Sequence, residues 1–117
     1  MSPNPWYVLE NAAEIPSPTL VLHRDRIEAN LRRMVAIAGD PLRLWPHVKT
    51  HKLPELIAWQ VGLGIVQFKC ATIAEAEMAA GAGATDITLS TQPVGPNAAR
   101  LVALMRAFPS VAFSTIA

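Results

Sequence analysis

Hydrophobic positions along this chain follow two spacings. Short runs of β-branched and aliphatic residues predict strands, and longer segments with apolar residues three and four positions apart predict amphipathic helices. In residues 25–38, for example, Ile27, Leu31, Met34 and Ala38 form one apolar stripe. The predicted strands are residues 19–23, 42–48, 65–69, 86–89 and 111–114, and the predicted helices are residues 25–38, 54–62, 73–82 and 96–108.

Short strands that alternate with helices predict an α/β fold with a parallel sheet and helices packed against it. From residue 42 onward the strand centres are about 21 to 24 residues apart, a rhythm shared by open doubly wound sheets and (β/α)8 barrels. A whole barrel needs about 250 residues, whereas this sequence has 117. On the barrel interpretation, residues 19–117 form a partial domain of about four βα units. Residues 1–18, which are proline-rich and lack periodicity, form an N-terminal arm.

Composition narrows the classes of protein to consider. The chain is 51% hydrophobic and 16% charged, with a formal net charge of +1. This balance excludes a highly charged disordered chain and a strongly basic nucleic-acid binder, so we expect no nucleic-acid partner. The apolar runs are too short to span a bilayer, and we recognise no secretory signal, so we expect no membrane association. The one cysteine, Cys70, suits a reducing cytoplasm.

The candidate chemistry lies in residues 45–52, which read WPHVKTHK. If residues 42–49 form a strand, His47 and Lys49 lie on the same face, and in a barrel that face points inward at the catalytic mouth. Burial and nearby cations would favour the neutral amine of Lys49 that Schiff-base chemistry requires. Spacing alone leaves two alternatives open: a solvated charged loop, and a metal site built from His47 and His51, for which no third ligand is nearby.

The motif PHVKTHK at residues 46–52 resembles the D-threonine aldolase family, whose members are pyridoxal-phosphate enzymes with a barrel of the alanine-racemase type. Residues 19–34, 70–89 and 92–109 are similar to the family in the same order, so the resemblance covers nearly all of residues 16–116. It implies that this chain is the N-terminal half of a pyridoxal-phosphate-binding (β/α)8 TIM barrel, known as fold type III.

The resemblance also implies a site. Lys49 matches the residue that forms the internal aldimine with pyridoxal 5'-phosphate, and His47 and His51 line the cofactor's surroundings as catalytic residues. Gln92, after the third barrel strand, is expected to face the mouth and to bind the cofactor together with Lys49 and His47. No metal ligand is expected in this chain, since the divalent metal of the full-length enzyme is held by residues of the remaining half.

The implied activity is that of a lyase cleaving D-3-hydroxy amino acids, with D-threonine giving glycine and an aldehyde. The substrate is thus a small D-amino acid, and a full-length protein is expected to form a homodimer. A D-serine dehydratase-like enzyme, a racemase-like enzyme and a non-catalytic truncated fragment remain as alternatives. Cys70 has no adjacent base in the sequence, and we interpret it as a buried structural thiol rather than a nucleophile.

Overall fold

Helices and strands alternate along most of the chain in the computed structural model, which describes residues 5–117. The helices are α1 (Arg24–Ala38), α2 (Pro54–Gly62), α3 (Ile73–Gly81) and α4 (Pro96–Ala107), and the strands are β1 (Gln67–Cys70), β2 (Asp86–Leu89) and β3 (Ala112–Thr115). Single turns of 3-10 helix occupy Ala12–Glu14, Pro41–Arg43 and Val48–Thr50. Pro3 of the predicted N-terminal arm lies outside the described residues.

The strands of residues 5–117 form one parallel sheet in the order β1-β2-β3. His47 pairs in parallel with Lys69 through an isolated bridge, so the segment before β1 extends the sheet by one residue pair. Spatial order therefore follows chain order, with a helix in each connection between strands. A parallel sheet wound in one direction is consistent with part of a barrel.

One face of the sheet is covered and the other is open. Phe68, Cys70, Ile87 and Leu89 alternate along β1 and β2 and are almost fully buried. They contact the central helix α3, which packs against both strands and against α2 and α4. The helices therefore occupy one face, and the side chains between these buried positions lie on the uncovered face.

Local sequence accounts for the helix starts. Proline occupies the first position of α2 and of α4, where its missing N–H leaves no hydrogen bond unmade. Thr72 caps α3 by accepting a hydrogen bond from the backbone N–H of Glu75 (3.1 Å). The side-chain carboxylate of Glu75 accepts a hydrogen bond from the backbone N–H of Ala71 (2.7 Å), the residue before the cap residue Thr72.

The predicted strand at residues 19–23 is wrong. These residues form no strand, and Leu20 and Leu22 are 64% and 48% exposed. Aliphatic composition favours a strand only where a neighbouring strand completes the hydrogen-bond ladder. In the described chain no neighbour lies beside this segment.

The predicted strand at residues 42–48 is also wrong. Asp40 accepts a hydrogen bond from the N–H of Leu42 (2.9 Å), and Pro41 presets the first φ, so this segment begins as a 3-10 turn. A second 3-10 turn begins at Val48. Only a short extended stretch separates the two turns, and it joins the sheet through His47 alone. No helix of residues 5–117 combines the length and apolar content needed to cross a membrane.

Candidate active site

The PHVKTHK segment turns back at the edge of the sheet where the parallel strands end. His47 is the last extended residue, and Val48, fully buried, anchors the turn that follows. The carbonyl of Val48 accepts hydrogen bonds from the backbone N–H of both His51 (3.4 Å) and Lys52 (3.0 Å). The segment thus forms a compact turn whose residues 48–50 lie against β1.

Lys49 lies in this 3-10 turn and is exposed. Its inward direction in a barrel stays a prediction, whereas the prediction that it ends a strand is wrong. The reason is that the backbone leaves the extended conformation at Val48, and the alternation of side chains between two faces stops with it. The exposed position leaves the Lys49 amine accessible.

Both imidazoles are hydrogen-bonded to the turn through the same ring nitrogen. His47 Nδ1 accepts from the backbone N–H of Lys49 (3.2 Å), and His51 Nδ1 accepts from the N–H of Leu53 (3.0 Å). A neutral imidazole carries one acceptor nitrogen and one N–H, so each ring has its proton on Nε2. In this state both histidines offer Nε2–H as a hydrogen-bond donor.

The surroundings of His47 disfavour its charged form. Burial is the largest influence and lowers its pKa, and the ammonium groups of Lys49, Lys69 and Lys52 lower it further. The carboxylate of Glu75 acts in the opposite direction without reversing the shift.

The pKa of His51 is lowered for a similar reason. Burial contributes most, and the nearby Lys52 ammonium adds to it against the opposing Glu75 carboxylate. The two rings are therefore held neutral over more of the pH range than an isolated histidine.

An ion pair ties the turn to α3. Lys52 Nζ donates to a carboxylate oxygen of Glu75, whose side chain is only 5% exposed. Lys52 also has a φ of 51°, in the left-handed region that residues with a Cβ seldom adopt. Sequence reasoning missed this pair, although the Thr72-x-x-Glu75 capping motif draws attention to one of its partners.

Gln92 lies in the loop that follows the carboxyl end of β2, as predicted, and is exposed. Neighbouring threonines hold this loop in place. Thr91 Oγ1 donates to the carbonyl of Ala71 (3.2 Å), and Thr115 Oγ1 donates to the carbonyl of Thr91 (3.0 Å). No side-chain hydrogen bond among the described residues joins Gln92 to the Lys49 turn, and its role stays a prediction.

A polar row crosses the open face of the sheet. The parallel register aligns His47 with Lys69, Lys69 with Thr88, and Thr88 with Ser114. Thr88 Oγ1 and Ser114 Oγ are 2.8 Å apart and share a hydrogen bond. Sequence reasoning did not single out Lys69, although two-residue alternation along the predicted strand at 65–69 separates it from the buried Phe68.

Two alternative chemistries receive no geometric support. Within residues 5–117, no group of three or more histidine, cysteine or acidic side chains is arranged to hold a metal ion. Cys70 is fully buried, as predicted, and burial raises the pKa of its thiol to about 12, with the Glu75 carboxylate adding to the shift. At neutral pH the thiol is therefore protonated and inert.

Comparison with known proteins gives two relatives. Over 85 residues, or 72% of this chain, the sequence is 41% identical to a D-threonine aldolase from an Arthrobacter species, and the match covers 22% of that protein. Over 74 residues, or 62% of this chain, it is 36% identical to the D-threo-3-hydroxyaspartate dehydratase of Delftia sp. (strain HT23), covering 20% of that protein.

The chain thus spans about a fifth of the length of the curated relatives it matches. No family model matches it. The predicted resemblance is confirmed: this chain is similar to a D-threonine aldolase over 72% of its length.

Proposed function

We propose that this chain supplies the lysine-bearing part of a pyridoxal-phosphate-dependent lyase that cleaves D-3-hydroxy amino acids, with D-threonine giving glycine and an aldehyde. One structural observation, taken together with one similarity, supports the proposal. An accessible Lys49 amine lies in a turn at the carboxyl edge of a parallel sheet, and the chain is similar to a D-threonine aldolase. This edge is where enzymes built on parallel sheets and barrels place their catalytic groups.

The donor set of the turn fits pyridoxal phosphate. Its aldehyde needs an accessible primary amine, which Lys49 provides, and its oxygen atoms need hydrogen-bond donors, which the Nε2–H groups of His47 and His51 provide. When bound, the cofactor supplies an electron sink for the carbanion left by bond cleavage. Lys49 would hold the cofactor, and Gln92 is assigned to the same site as a further hydrogen-bonding group.

The histidines act first as donors in this proposal. A neutral ring whose Nδ1 accepts a backbone N–H has no free lone pair with which to remove a proton. His47 and His51 therefore orient oxygen atoms of the ligand through Nε2–H. Either ring acts as a base only after it releases its backbone N–H, that of Lys49 for His47 and that of Leu53 for His51.

Dehydration is the second candidate activity, because one relative is named a D-threo-3-hydroxyaspartate dehydratase. An aldolase breaks a carbon–carbon bond of the substrate, whereas a dehydratase expels the 3-hydroxyl group as water. The groups of the Lys49 turn serve both reactions equally. The distinction therefore depends on which products form.

We further propose that residues 19–117 are part of one barrel domain, that the protein works in the cytoplasm and that the complete protein is a homodimer. A divalent metal, if used, takes its ligands from outside this chain. Light scattering on the protein produced from its complete reading frame tests the dimer, and metal analysis of the same sample tests the metal. A monomer contradicts the homodimer proposal.

The assignment of Lys49 is tested by borohydride trapping. The protein from the complete reading frame is loaded with pyridoxal phosphate, reduced with borohydride and digested, and the modified peptide is identified by mass spectrometry. We expect the adduct on Lys49 and its loss in Lys49→Arg. Lys52→Arg is the matched control, three residues away, and should keep the adduct. An adduct on Lys52 or Lys69 in the unsubstituted protein would sink the assignment.

Product analysis separates the candidate activities. D-Threonine, D-serine and D-threo-3-hydroxyaspartate are supplied in turn, and glycine, aldehyde and 2-oxo acids are measured. Glycine and acetaldehyde from D-threonine support the aldolase proposal. Pyruvate from D-serine or oxaloacetate from D-threo-3-hydroxyaspartate, without glycine from D-threonine, replaces it with dehydration.

A further inference from the structure

We propose that Glu75, on α3, is a positioning residue for the Lys49 amine, and that it acts by holding Lys52 at the end of the turn. This inference rests on the proposed function for its catalytic meaning, since it concerns the lysine assigned to the cofactor. The geometry of the turn that supports it is independent of that assignment.

Glu75 is a buried acid. Only 4% of the residue is exposed, so its carboxylate has lost most of its hydration. It recovers hydrogen bonds from Lys52 Nζ and from the backbone N–H of Ala71 (2.7 Å). A buried carboxylate is retained only where its partners are fixed, because leaving it unpaired is costly. The side chains of Glu75 and Lys52 therefore hold each other in place.

The backbone of Lys52 is strained. Its φ of 51° is one that glycine adopts readily and that a residue with a Cβ adopts at a cost. A lysine persists in such a conformation where surrounding contacts outweigh the strain. The contact that reaches beyond the turn is the ion pair with Glu75, across 23 positions of sequence.

Lys52 and Lys49 belong to the same turn. The Val48 carbonyl accepts the N–H of Lys52 (3.0 Å), so these two residues close the turn that contains Lys49. Buried Val48 fixes the start of the turn, and the contact between Lys52 and Glu75 fixes its end. Release of Lys52 removes the side-chain contact that joins the end of the turn to α3, and the backbone that carries Lys49 becomes freer to move.

A different role for Glu75 would be purely local. Its bond to the Ala71 N–H stabilises the start of α3 whether or not Lys52 is present. The two roles differ in what Lys52 does: a local role makes substitution of Lys52 irrelevant, whereas a positioning role makes Lys52 and Glu75 act as one unit. The test therefore requires variants of both residues.

The experiment measures the turn directly in the cofactor-free protein from the complete reading frame. Hydrogen exchange reports on the amides of Lys52 and Leu53, and peptide mapping follows the rate at which an amine reagent acylates Lys49. The variants are Glu75→Gln, Lys52→Gln, Lys52→Gly and the double variant Glu75→Gln/Lys52→Gln. Glu77→Gln, an exposed acid on the same helix, is the matched control.

We expect each single variant to raise exchange at Lys52 and Leu53 by about tenfold or more and to change the acylation rate of Lys49. Exchange in the double variant should be no faster than in Glu75→Gln alone. Exchange and acylation in Glu77→Gln should equal those of the unsubstituted protein. Lys52→Gly separates the effect of backbone strain from the effect of the ion pair. Glycine removes the cost of the positive φ, yet this variant should still loosen the turn because it lacks the Nζ that pairs with Glu75.

Unchanged exchange and acylation in Lys52→Gln overturn the proposal and leave Glu75 with its local role on α3. Lys52 is 61% exposed at its side chain, so this variant is informative even if Glu75→Gln does not fold. None of these measurements requires the cofactor. If borohydride trapping finds another lysine, the proposed function fails, while exchange and acylation still decide whether Glu75 holds the turn.

Discussion

At the scale of single residues, the two histidines of the turn are fixed by the backbone around them. Their Nδ1 atoms accept backbone N–H groups, and burial together with neighbouring lysines lowers both pKa values. Both influences favour the neutral ring with its proton on Nε2. The neutral form offers a donor to a ligand where a charged ring would be a second cation beside Lys49.

Lys69→Met tests the electrostatic part of this arrangement. The Lys69 ammonium lowers the pKa of His47 but is not among the groups that shift His51. We therefore expect the pKa of His47 to rise towards 6.5 in this variant while that of His51 stays in place. Nitrogen NMR of the imidazoles against pH measures both values and shows which ring nitrogen carries the proton. Equal shifts at both rings, or none at His47, would contradict the prediction.

The same shifts have a consequence for stability. A histidine with a lowered pKa in the folded state binds fewer protons than the unfolded chain as the pH falls below about 6.5. The contribution of His47 and His51 is therefore fully present above that pH and is lost as the pH falls through their folded values.

Sequence reasoning identified part of this site. The motif at residues 46–52 pointed to Lys49, His47 and His51, because their types and spacing are local properties of the chain. It did not find the pairing of Lys52 with Glu75, which joins residues far apart in sequence and depends on a positive φ. It also placed Lys49 at the end of a strand, since alternation was extended past the point where the backbone turns.

At the scale of elements, the helices followed from pattern more faithfully than the strands. The predicted helix at 54–62 and the predicted strand at 86–89 have the observed bounds, and the other helices differ by one residue at an end. A helix satisfies its own hydrogen bonds, whereas a strand depends on a partner. The aliphatic run at 19–23 lacks one, and the segment at 42–48 meets one at His47 only.

The buried face of α4 illustrates a finer error. The spacing of apolar residues in 96–108 predicts one apolar side made of Ala98, Leu101, Val102, Met105 and Phe108. In the structure Leu101 and Leu104 are buried, while Val102 and Met105 are each 45% exposed. Periodicity locates a stripe, but the helix's neighbours decide its exact centre, and here α3 is the neighbour.

We expect Leu104→Ala to lower the free energy of unfolding by about 2–5 kcal/mol, because it leaves a cavity against α3. Val102→Ala, two positions away on the same helix, should change it by less than about 1 kcal/mol, since that side chain is partly exposed and alanine favours a helix. Chemical denaturation of the protein from the complete reading frame measures both. Equal losses would mean that Val102 is buried as deeply as Leu104.

At the scale of the whole molecule, the sheet has one protected face and one polar open face. Helices cover Phe68, Ile87 and their neighbours, while Lys69, Thr88 and Ser114 lie in register on the other side. In the barrel that the resemblance implies, this open face is the interior. The sequence predicts an inward direction for the face of His47 only on the barrel interpretation, because the period-two pattern separates two faces without saying what covers each one.

β3 is an edge strand of the sheet in the described chain, with N–H and C=O groups directed away from β2. Edge strands of this kind pair readily with other chains, and an uncovered sheet face adds contact area. Residues 1–117 produced alone should therefore self-associate as concentration rises. Light scattering over a dilution series measures the effect, and a monodisperse monomer at every concentration would show that the edge and open face do not attract a partner.

Ser114→Lys tests whether this sheet region drives the association. Ser114 is exposed on the open face of β3, and a charge placed there opposes both stacking of two open faces and pairing at the edge. Ala99→Lys, exposed on α4, adds the same charge on a helix instead of on the sheet and is the matched control. We expect Ser114→Lys to raise the concentration needed for association and Ala99→Lys to leave it close to the original. If both variants raise it equally, net charge controls the association and the sheet does not.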